Sequence, residues 1–494
     1  MNIEIRRLNS ERVLYDEKLH RYTDEKSIIT VNGDFVLIEC SGDKSEFYAR
    51  NYLKNNDIEN GECVVCPAFK KRGYIEGFYG NPWNTEKRIS IIKALAAHGM
   101  NTYYYAPKDD PYHRRLWRDL YPENELNELK KLINTAKTNF TDLVWCTAPG
   151  LDIQYSSDKD FALLINKINQ LYDSGVKSFG LLLDDINESL QWENDKLKYG
   201  ETVNAHIDLI NRLYSRLASE DVGISLTVCP TLYCGSGSEY YISKLGRNIP
   251  SNVSLFWTGR DICSRELLSS DAVRFFENTL HKPLYWDNYP VNDMAMHFEM
   301  HLGPYIGRDR DLCKYSDGII LNCMEYARCS LIPLLTAADF MWAPDTYDPD
   351  KSWRNAVKET VGAENADCFI AFADNLRLSC LQDENAGIFK SIFMGKINEK
   401  AAENYIKTLK DAEKYLKSDA PLCAELKKWS EKFFSACEII DFILQYRLTR
   451  EPGLKETVLK LLDSYNSLPE RLIDDSDFLE ALCQEDFTGE YYCS

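Results

Sequence analysis

The pattern of apolar and polar positions changes period twice along the chain. Near the N-terminus, Ser27-Ile28-Ile29-Thr30-Val31 and Phe35-Val36-Leu37-Ile38-Glu39 flank Asn32-Gly33-Asp34. Two β-rich runs around such a turn predict a hairpin. A helix-like stretch from about 45 to 54 follows, so residues 1–66 read as a small α+β domain. From Gly73 onward, short apolar runs recur at intervals of roughly 30 to 45 residues with amphipathic stretches between them, the rhythm of βα units. The runs are residues 74–78, 102–106, 143–146, 179–183, 224–228, 253–257, 284–286 and 318–321. Strands buried on both faces read as continuous apolar runs, and eight of them within residues 67–345 suit a (β/α)8 TIM-like barrel. Residues 346–494 carry the 3.6-residue period instead, as in Lys427-Lys428-Trp429-Ser430-Glu431-Lys432-Phe433-Phe434, which predicts a helical bundle domain. The closing stretch around Gly489-Glu490-Tyr491-Tyr492 is expected to be mobile.

Composition narrows the partners. A chain of 494 residues exceeds one compact core, and 44% hydrophobic with 12% aromatic residues supports folded domains. The formal charge of -19 repels nucleic acid, anionic membranes and polyanionic glycans, so neutral or protein-borne substrates fit better. Met1-Asn2-Ile3-Glu4-Ile5-Arg6-Arg7 lacks the apolar core of a signal peptide, and no run approaches the ~20 apolar residues of a membrane span. The chain is therefore expected to be cytoplasmic. Of its 16 cysteines, Cys146, Cys229 and Cys323 fall in or beside apolar runs and read as buried reduced thiols. Cys63 and Cys66 form a CxxC without a second pair at zinc spacing, which argues against a metal there. Oligomeric state is left open.

The candidate chemistry begins at Asp184-Asp185, directly after Phe179-Gly180-Leu181-Leu182-Leu183. Loops beyond strand C-termini line the ligand crevice of α/β folds, although the pair alone also fits a solvated turn or a helix N-cap. Other strand ends are equally polar: Gly80-Asn81, Lys108-Asp109-Asp110, Tyr233, Thr258, Asp287-Asn288 with Asn292-Asp293, and Asn322. Each by itself fits a surface ion pair or a turn; converging on one mouth, with Trp286 as an aromatic face, they fit a sugar ring. Ordinary glycosidases set two carboxylates ~5–9.5 Å apart across the ring, whereas consecutive Cα atoms lie only ~3.8 Å apart. Neighbouring acids suit another division of labour: one protonates the leaving oxygen and the other holds a nucleophile belonging to the substrate, such as a 2-acetamido group. Mutual repulsion and burial should keep one of the two protonated near neutral pH, ready to act as general acid. No metal or cofactor is required; Lys108-Asp109-Asp110 with His113 could be drawn as a ligand cluster, but a Lys in its midst fits a sugar contact better.

The chain resembles glycoside hydrolase family 84, the O-GlcNAcases and related bacterial β-N-acetylglucosaminidases. The resemblance rests on Arg72-Gly73-Tyr74-Ile75-Glu76-Gly77-Phe78-Tyr79-Gly80-Asn81-Pro82-Trp83, on Asn101 through Asp110, and on Leu183-Asp184-Asp185-Ile186. Cys229-Pro230-Thr231 through Gly235, Trp257-Thr258-Gly259, Trp286-Asp287-Asn288 through Asp293, and Leu302-Gly303-Pro304-Tyr305 follow in order. It implies a retaining enzyme in which the acetamide oxygen attacks the anomeric carbon to give an oxazoline. By position, Asp184 would orient the acetamide N–H and Asp185 would be general acid, then base. Tyr233 and Asn288 would sit at the acetamide, Trp286 at the pocket wall, and Asp293 on O4 and O6. Lys108, the Gly73 backbone and Asn322 would lie near O3 and O4. One departure stands: family members usually carry Pro soon after the last-strand Asn, and here Cys323-Met324 follows Asn322. Three readings follow: removal of O-GlcNAc from Ser or Thr of proteins, trimming of GlcNAc-capped glycans or hyaluronan, and a non-catalytic GlcNAc-binding module. Two intact acids disfavour the last.

Overall fold

A computed structural model of the chain describes residues 2–7, 15–16, 21–56, 58–221, 223–382 and 399–472. Near the N-terminus, β1 (Asn2–Arg7), β4 (Ser27–Asn32), β5 (Phe35–Cys40) and β6 (Gly61–Val65) form a sheet in the order β1-β5-β4-β6. Between β1 and β4, β2 (Tyr15–Asp16) and β3 (Arg21–Tyr22) pair as a short ribbon. The expected hairpin is β4 and β5, with Asn32 opposite Phe35. Gly33 and Asp34 thus make a two-residue turn, and Gly33 takes the positive φ of 57° that such turns favour at their first central position. The helix Asp43–Asn55 buries Tyr48 and Ala49, beside a small core of Ile29, Val36, Ile38 and Val65. Two of these strands escape the apolar pattern. β1 is almost wholly exposed and β6 opens with Gly-Glu-Cys, so neither has a buried strand's run.

Eight parallel strands close a barrel: β7 (Lys71–Glu76), β8 (Thr102–Tyr105), β9 (Asp142–Thr147), β10 (Ser178–Leu182), β11 (Ser225–Cys229), β12 (Ser254–Trp257), β13 (Pro283–Asp287) and β14 (Gly318–Asn322). β14 pairs back onto β7. Every apolar run is one of these strands, and the largest boundary shift is in the first. β7 starts at Lys71 because Lys71 and Arg72 pair with Gly318 and Ile319, and its last ladder pair is Glu76 with Tyr105. Ile75, Tyr104, Val144, Leu182, Cys229, Phe256, Leu284 and Ile320 fill the interior, so the barrel is a packed core rather than a pore. Amphipathic helices alternate with the strands; Thr202–Glu220, for example, buries Val203, Leu209, Ile210, Leu213 and Leu217 on one face. Cys146, Cys229 and Cys323 are buried free thiols.

The chain forms two compact units. Met1–Asn288, Gly307–Cys323 and Ala337–Tyr347 make the first, which holds both the small sheet and the barrel. In it the buried Arg72 of β7 donates to both carboxylate oxygens of Glu25, at 2.9 and 3.1 Å. Tyr289–Ile306, Met324–Thr336 and Asp348–Ser494 make the second unit. Its helices include Pro349–Val361, Ala366–Ala373, Glu399–Leu416, Lys427–Thr449 and Pro452–Asn466. Phe372 meets Phe433 edge-on at 4.8 Å, and Trp429 donates to the Phe298 carbonyl at 3.0 Å, tying the 289–306 segment to the bundle. Among the described residues no helix is long and apolar enough to cross a membrane. The stretch around Gly489 to Tyr492 lies outside the described residues.

Candidate functional site

Strand β10 is buried along its length, and the Leu183 amide still bonds the Cys229 carbonyl at 2.9 Å, so the two acids leave the sheet at the barrel's C-terminal rim. Asp184 is only 7% exposed. Asp185 turns into the left-handed region with φ +52°, a conformation that costs ordinary L-residues about 1–2 kcal/mol and Asp less. From the end of β8, Lys108 sets its Nζ 3.0 Å from Asp184 Oδ2 and 3.7 Å from Asp185 Oδ2. The repulsion expected between the acids is thus answered by a cation, and Lys108, expected as a sugar contact, bridges the pair. Burial alone would raise the Asp184 carboxyl, but the charge and hydrogen bond of Lys108 outweigh it and hold it below the usual carboxylate value. Asp184 Oδ1 is buried and has no hydrogen-bond partner among the described residues.

Asp185 is gripped from three strand ends. Tyr79, beyond β7, donates its hydroxyl to Asp185 Oδ2 at 2.8 Å, and Tyr233, beyond β11, reaches Oδ1 at 3.4 Å. Arg114, six residues past Lys108, donates to the Tyr79 oxygen at 3.1 Å and to the Asp185 carbonyl at 3.2 Å. Lys108 Nζ also lies 5.2 Å from the centre of the Tyr79 ring. Neither Tyr79 nor Arg114 stands out in the sequence as a partner of the acids. The first sits inside the Gly77-Phe78-Tyr79-Gly80 motif, the second in a stretch where only the turn of the backbone brings it to the acids.

A second group forms a wall. Trp286, 6% exposed, packs edge-on against Phe256 at 5.3 Å and donates its indole N–H to Asn288 Oδ1 at 2.9 Å. The same oxygen accepts from Asn322 Nδ2 at 3.0 Å, Asn288 Nδ2 reaches the Ile262 carbonyl at 2.9 Å, and Asn322 Oδ1 accepts from the Gly77 amide at 3.3 Å. The two amides therefore lock one another and the end of β7. Three expectations need correcting or relocating. Gly73 lies within β7 rather than at its end: it pairs with Thr102 and Ile320, and a Cβ there would reach the Thr102 carbonyl oxygen at 2.3 Å. Gly77 holds the strand-end position, where a Cβ would meet Trp286 at 2.7 Å. Thr258 is 4% exposed and gives its hydroxyl to the Asp261 carbonyl at 2.7 Å, while its amide bonds the Tyr233 carbonyl at 2.9 Å, so it braces the Tyr233 loop. Asp293 belongs to the second unit, half-buried at the start of the short Met294–Met296 turn.

Two further polar strand-end residues are structural, Asp110 and Asp287. Asp110 accepts from the Tyr105 and Tyr121 hydroxyls at 2.9 and 2.6 Å, and Asp287 is buried in a bidentate pair with Arg308 at 2.6 and 2.9 Å. His113 is buried with Nδ1 2.8 Å from the Cys146 carbonyl, and burial lowers it to about 4, so it is a neutral imidazole.

Comparison with known proteins identifies relatives of the chain. The family profile described as beta-N-acetylglucosaminidase matches residues 72–374, more than half of the chain. Protein O-GlcNAcase of Rattus norvegicus is 32% identical over 256 residues, covering 51% of this chain and 27% of that protein, with the same figures for Mus musculus. The match thus spans little more than a quarter of those relatives' length. Among solved structures, a point mutant of the Thermobaculum terrenum O-GlcNAc hydrolase superposes with a TM-score of 0.76 at 31% identity, over 85% of this chain and 94% of that one. CpGH84B gives 0.78 at 28% identity, over 93% and 86%. A profile that runs from the first barrel strand past the last, with a structural relative above 30% identity along nearly its whole length, fixes the relationship: the chain belongs to the beta-N-acetylglucosaminidase family, glycoside hydrolase family 84.

Proposed function

We propose that the chain is a retaining exo-β-N-acetylglucosaminidase whose nucleophile is the substrate's own 2-acetamido group. The observation that carries this reading is the acid pair: Asp184 and Asp185 are neighbours on one rim and share Lys108, so they do not flank a ring from opposite faces. The acetamide oxygen attacks the anomeric carbon and closes an oxazoline, the bond from that carbon to the glycosidic oxygen breaks, and Asp185 gives its proton to the departing oxygen. Asp184, kept ionised by Lys108, accepts the acetamide N–H on Oδ1, the oxygen without a partner among the described residues, taking that proton as the oxazoline closes and returning it to nitrogen as the ring opens. Asp185, now a carboxylate, takes a proton from the water that opens the oxazoline on the face the aglycone left, and the β configuration is retained. Tyr233 holds the acetamide oxygen, Trp286 walls the pocket with Asn288 and Asn322 fixing it, and Lys108 lies near O3 and O4. No metal or cofactor enters these steps.

Ser or Thr of a protein is the aglycone that fits best. The curated relatives at 32% identity bear the name protein O-GlcNAcase, and a charge of -19 disfavours polyanionic glycans. In this reading residues 67–345 carry the chemistry, with 1–66 and 346–494 as flanking domains. The test is fluorophore release from 4-methylumbelliferyl β-GlcNAc by the wild-type chain and by Asp184→Asn, with the galacto epimer as control. Selective turnover that the substitution abolishes is expected; a folded wild-type chain that releases nothing would sink the proposal. Asp185→Asn should lower turnover of unactivated glycosides by ~10²- to 10⁴-fold and that of activated phenyl glycosides less, because a good leaving group needs little protonation.

A further inference from the structure

We propose that Arg114 is a positioning residue for Asp185, and that through Tyr79 it decides which oxygen of that carboxyl carries the proton. This rests on the reading of Asp185 as general acid. The guanidinium makes two bonds to one residue's conformation. One N–H holds the Asp185 carbonyl at 3.2 Å, on the peptide of a non-glycine residue whose φ is +52°. Another donates at 3.1 Å to the Tyr79 oxygen, whose own proton points to Asp185 Oδ2 at 2.8 Å. A planar fork sets both angles together, which a lysine ammonium cannot do.

The consequence is an asymmetric carboxyl. Oδ2 accepts from Tyr79 and has Lys108 Nζ at 3.7 Å, so protonating it would set an O–H against a hydroxyl proton and an ammonium. Among the described residues Oδ1 faces only the Tyr233 hydroxyl, at 3.4 Å, a group that can accept as readily as donate. The transferable proton therefore sits on Oδ1. Because Arg114 lies six residues beyond Lys108, one loop after β8 supplies both the cation shared by the acids and the brace that orients the second of them.

The experiment measures kcat and KM for Arg114→Met, Arg114→Lys, Tyr79→Phe and the double variant Tyr79→Phe/Arg114→Met. Each is assayed on an activated aryl β-GlcNAc and an unactivated alkyl β-GlcNAc. Tyr79 is 38% exposed, so its phenylalanine variant should fold whatever becomes of the others. Loss of a charge-assisted bond predicts a ~10- to 100-fold fall in kcat for Arg114→Met on the alkyl glycoside, with a smaller fall on the aryl one and KM nearly constant. Tyr79→Phe should shift the same ratio in the same direction, Arg114→Lys should recover only part of it, and the double variant should be no worse than Arg114→Met, since the two residues act as one chain. Equal losses on both substrates, additive losses, or full recovery by Arg114→Lys would overturn the proposal. Asp185→Asn run alongside separates the two failures: leaving-group dependence there but not in the Arg114 variants refutes only the positioning role, while its absence in Asp185→Asn refutes the general-acid reading beneath it.

Discussion

At the scale of single residues, the acid pair announces itself because carboxylates after a wholly apolar strand have no packing reason to be there. Their charge balance did not announce itself. Lys108 and Asp184 are 76 positions apart, and only the pairing of β8 and β10 on either side of β9 sets them 3.0 Å from one another. The cation has a testable effect. Lys108 favours the ionised form of Asp184 and burial opposes it. In Lys108→Met burial is opposed only by the smaller effects of a backbone hydrogen bond and the Arg114 charge, so the ionised fraction at any acidic pH should fall. The acid limb of the kcat/KM profile should accordingly move to higher pH, and a limb that stays in place would show that Asp184 does not govern it. Gly73 and Gly77 make the complementary point. Both belong to one motif in the sequence, and strand register alone says which of them reaches the rim.

At the scale of elements, the barrel strands are legible because parallel strands covered on both faces are apolar throughout, and the helices of the second unit because their period is 3.6. β1 and β6 are not, since exposed edge residues carry no such signal. Nor does sequence reveal the bond between sheet and barrel made by Glu25 and Arg72. Burial would raise the Glu25 carboxyl, yet the charge and hydrogen bonds of Arg72 hold it down to about 2 from an ordinary 4.5. A carboxyl depressed by folding contributes stability above its unfolded value. That contribution fades as pH falls below 4.5 and is gone near 2. Glu25→Gln leaves Arg72 charged and buried without its counterion and should cost about 3 kcal/mol at pH 7. Urea unfolding at pH 7 and pH 3 should find the variant less stable at the first and closer to wild type at the second; equal gaps at both would place the stabilisation elsewhere.

At the scale of the whole molecule, charge and topology govern different things. The formal charge of -19 should make hyaluronan a poor substrate, and poorest at low ionic strength, where the Debye length exceeds ~10 Å and repulsion reaches furthest. Oligosaccharide release from hyaluronan at 10 mM and 300 mM salt checks this; faster release at the lower salt would contradict it. Topology governs how the site comes into being. Closure of the barrel pairs its first strand with its last, and Gly77 and Asn322, bonded across that seam, stand 245 positions apart. At ribosomal rates of ~5–20 residues per second, β7 waits roughly 12–50 s for β14 with one edge unpaired. For about half of the chain's synthesis, then, the strand that ends beside the acids is an open template for other nascent chains, and crowding on a polysome is the hazard this seam leaves for the cell to manage.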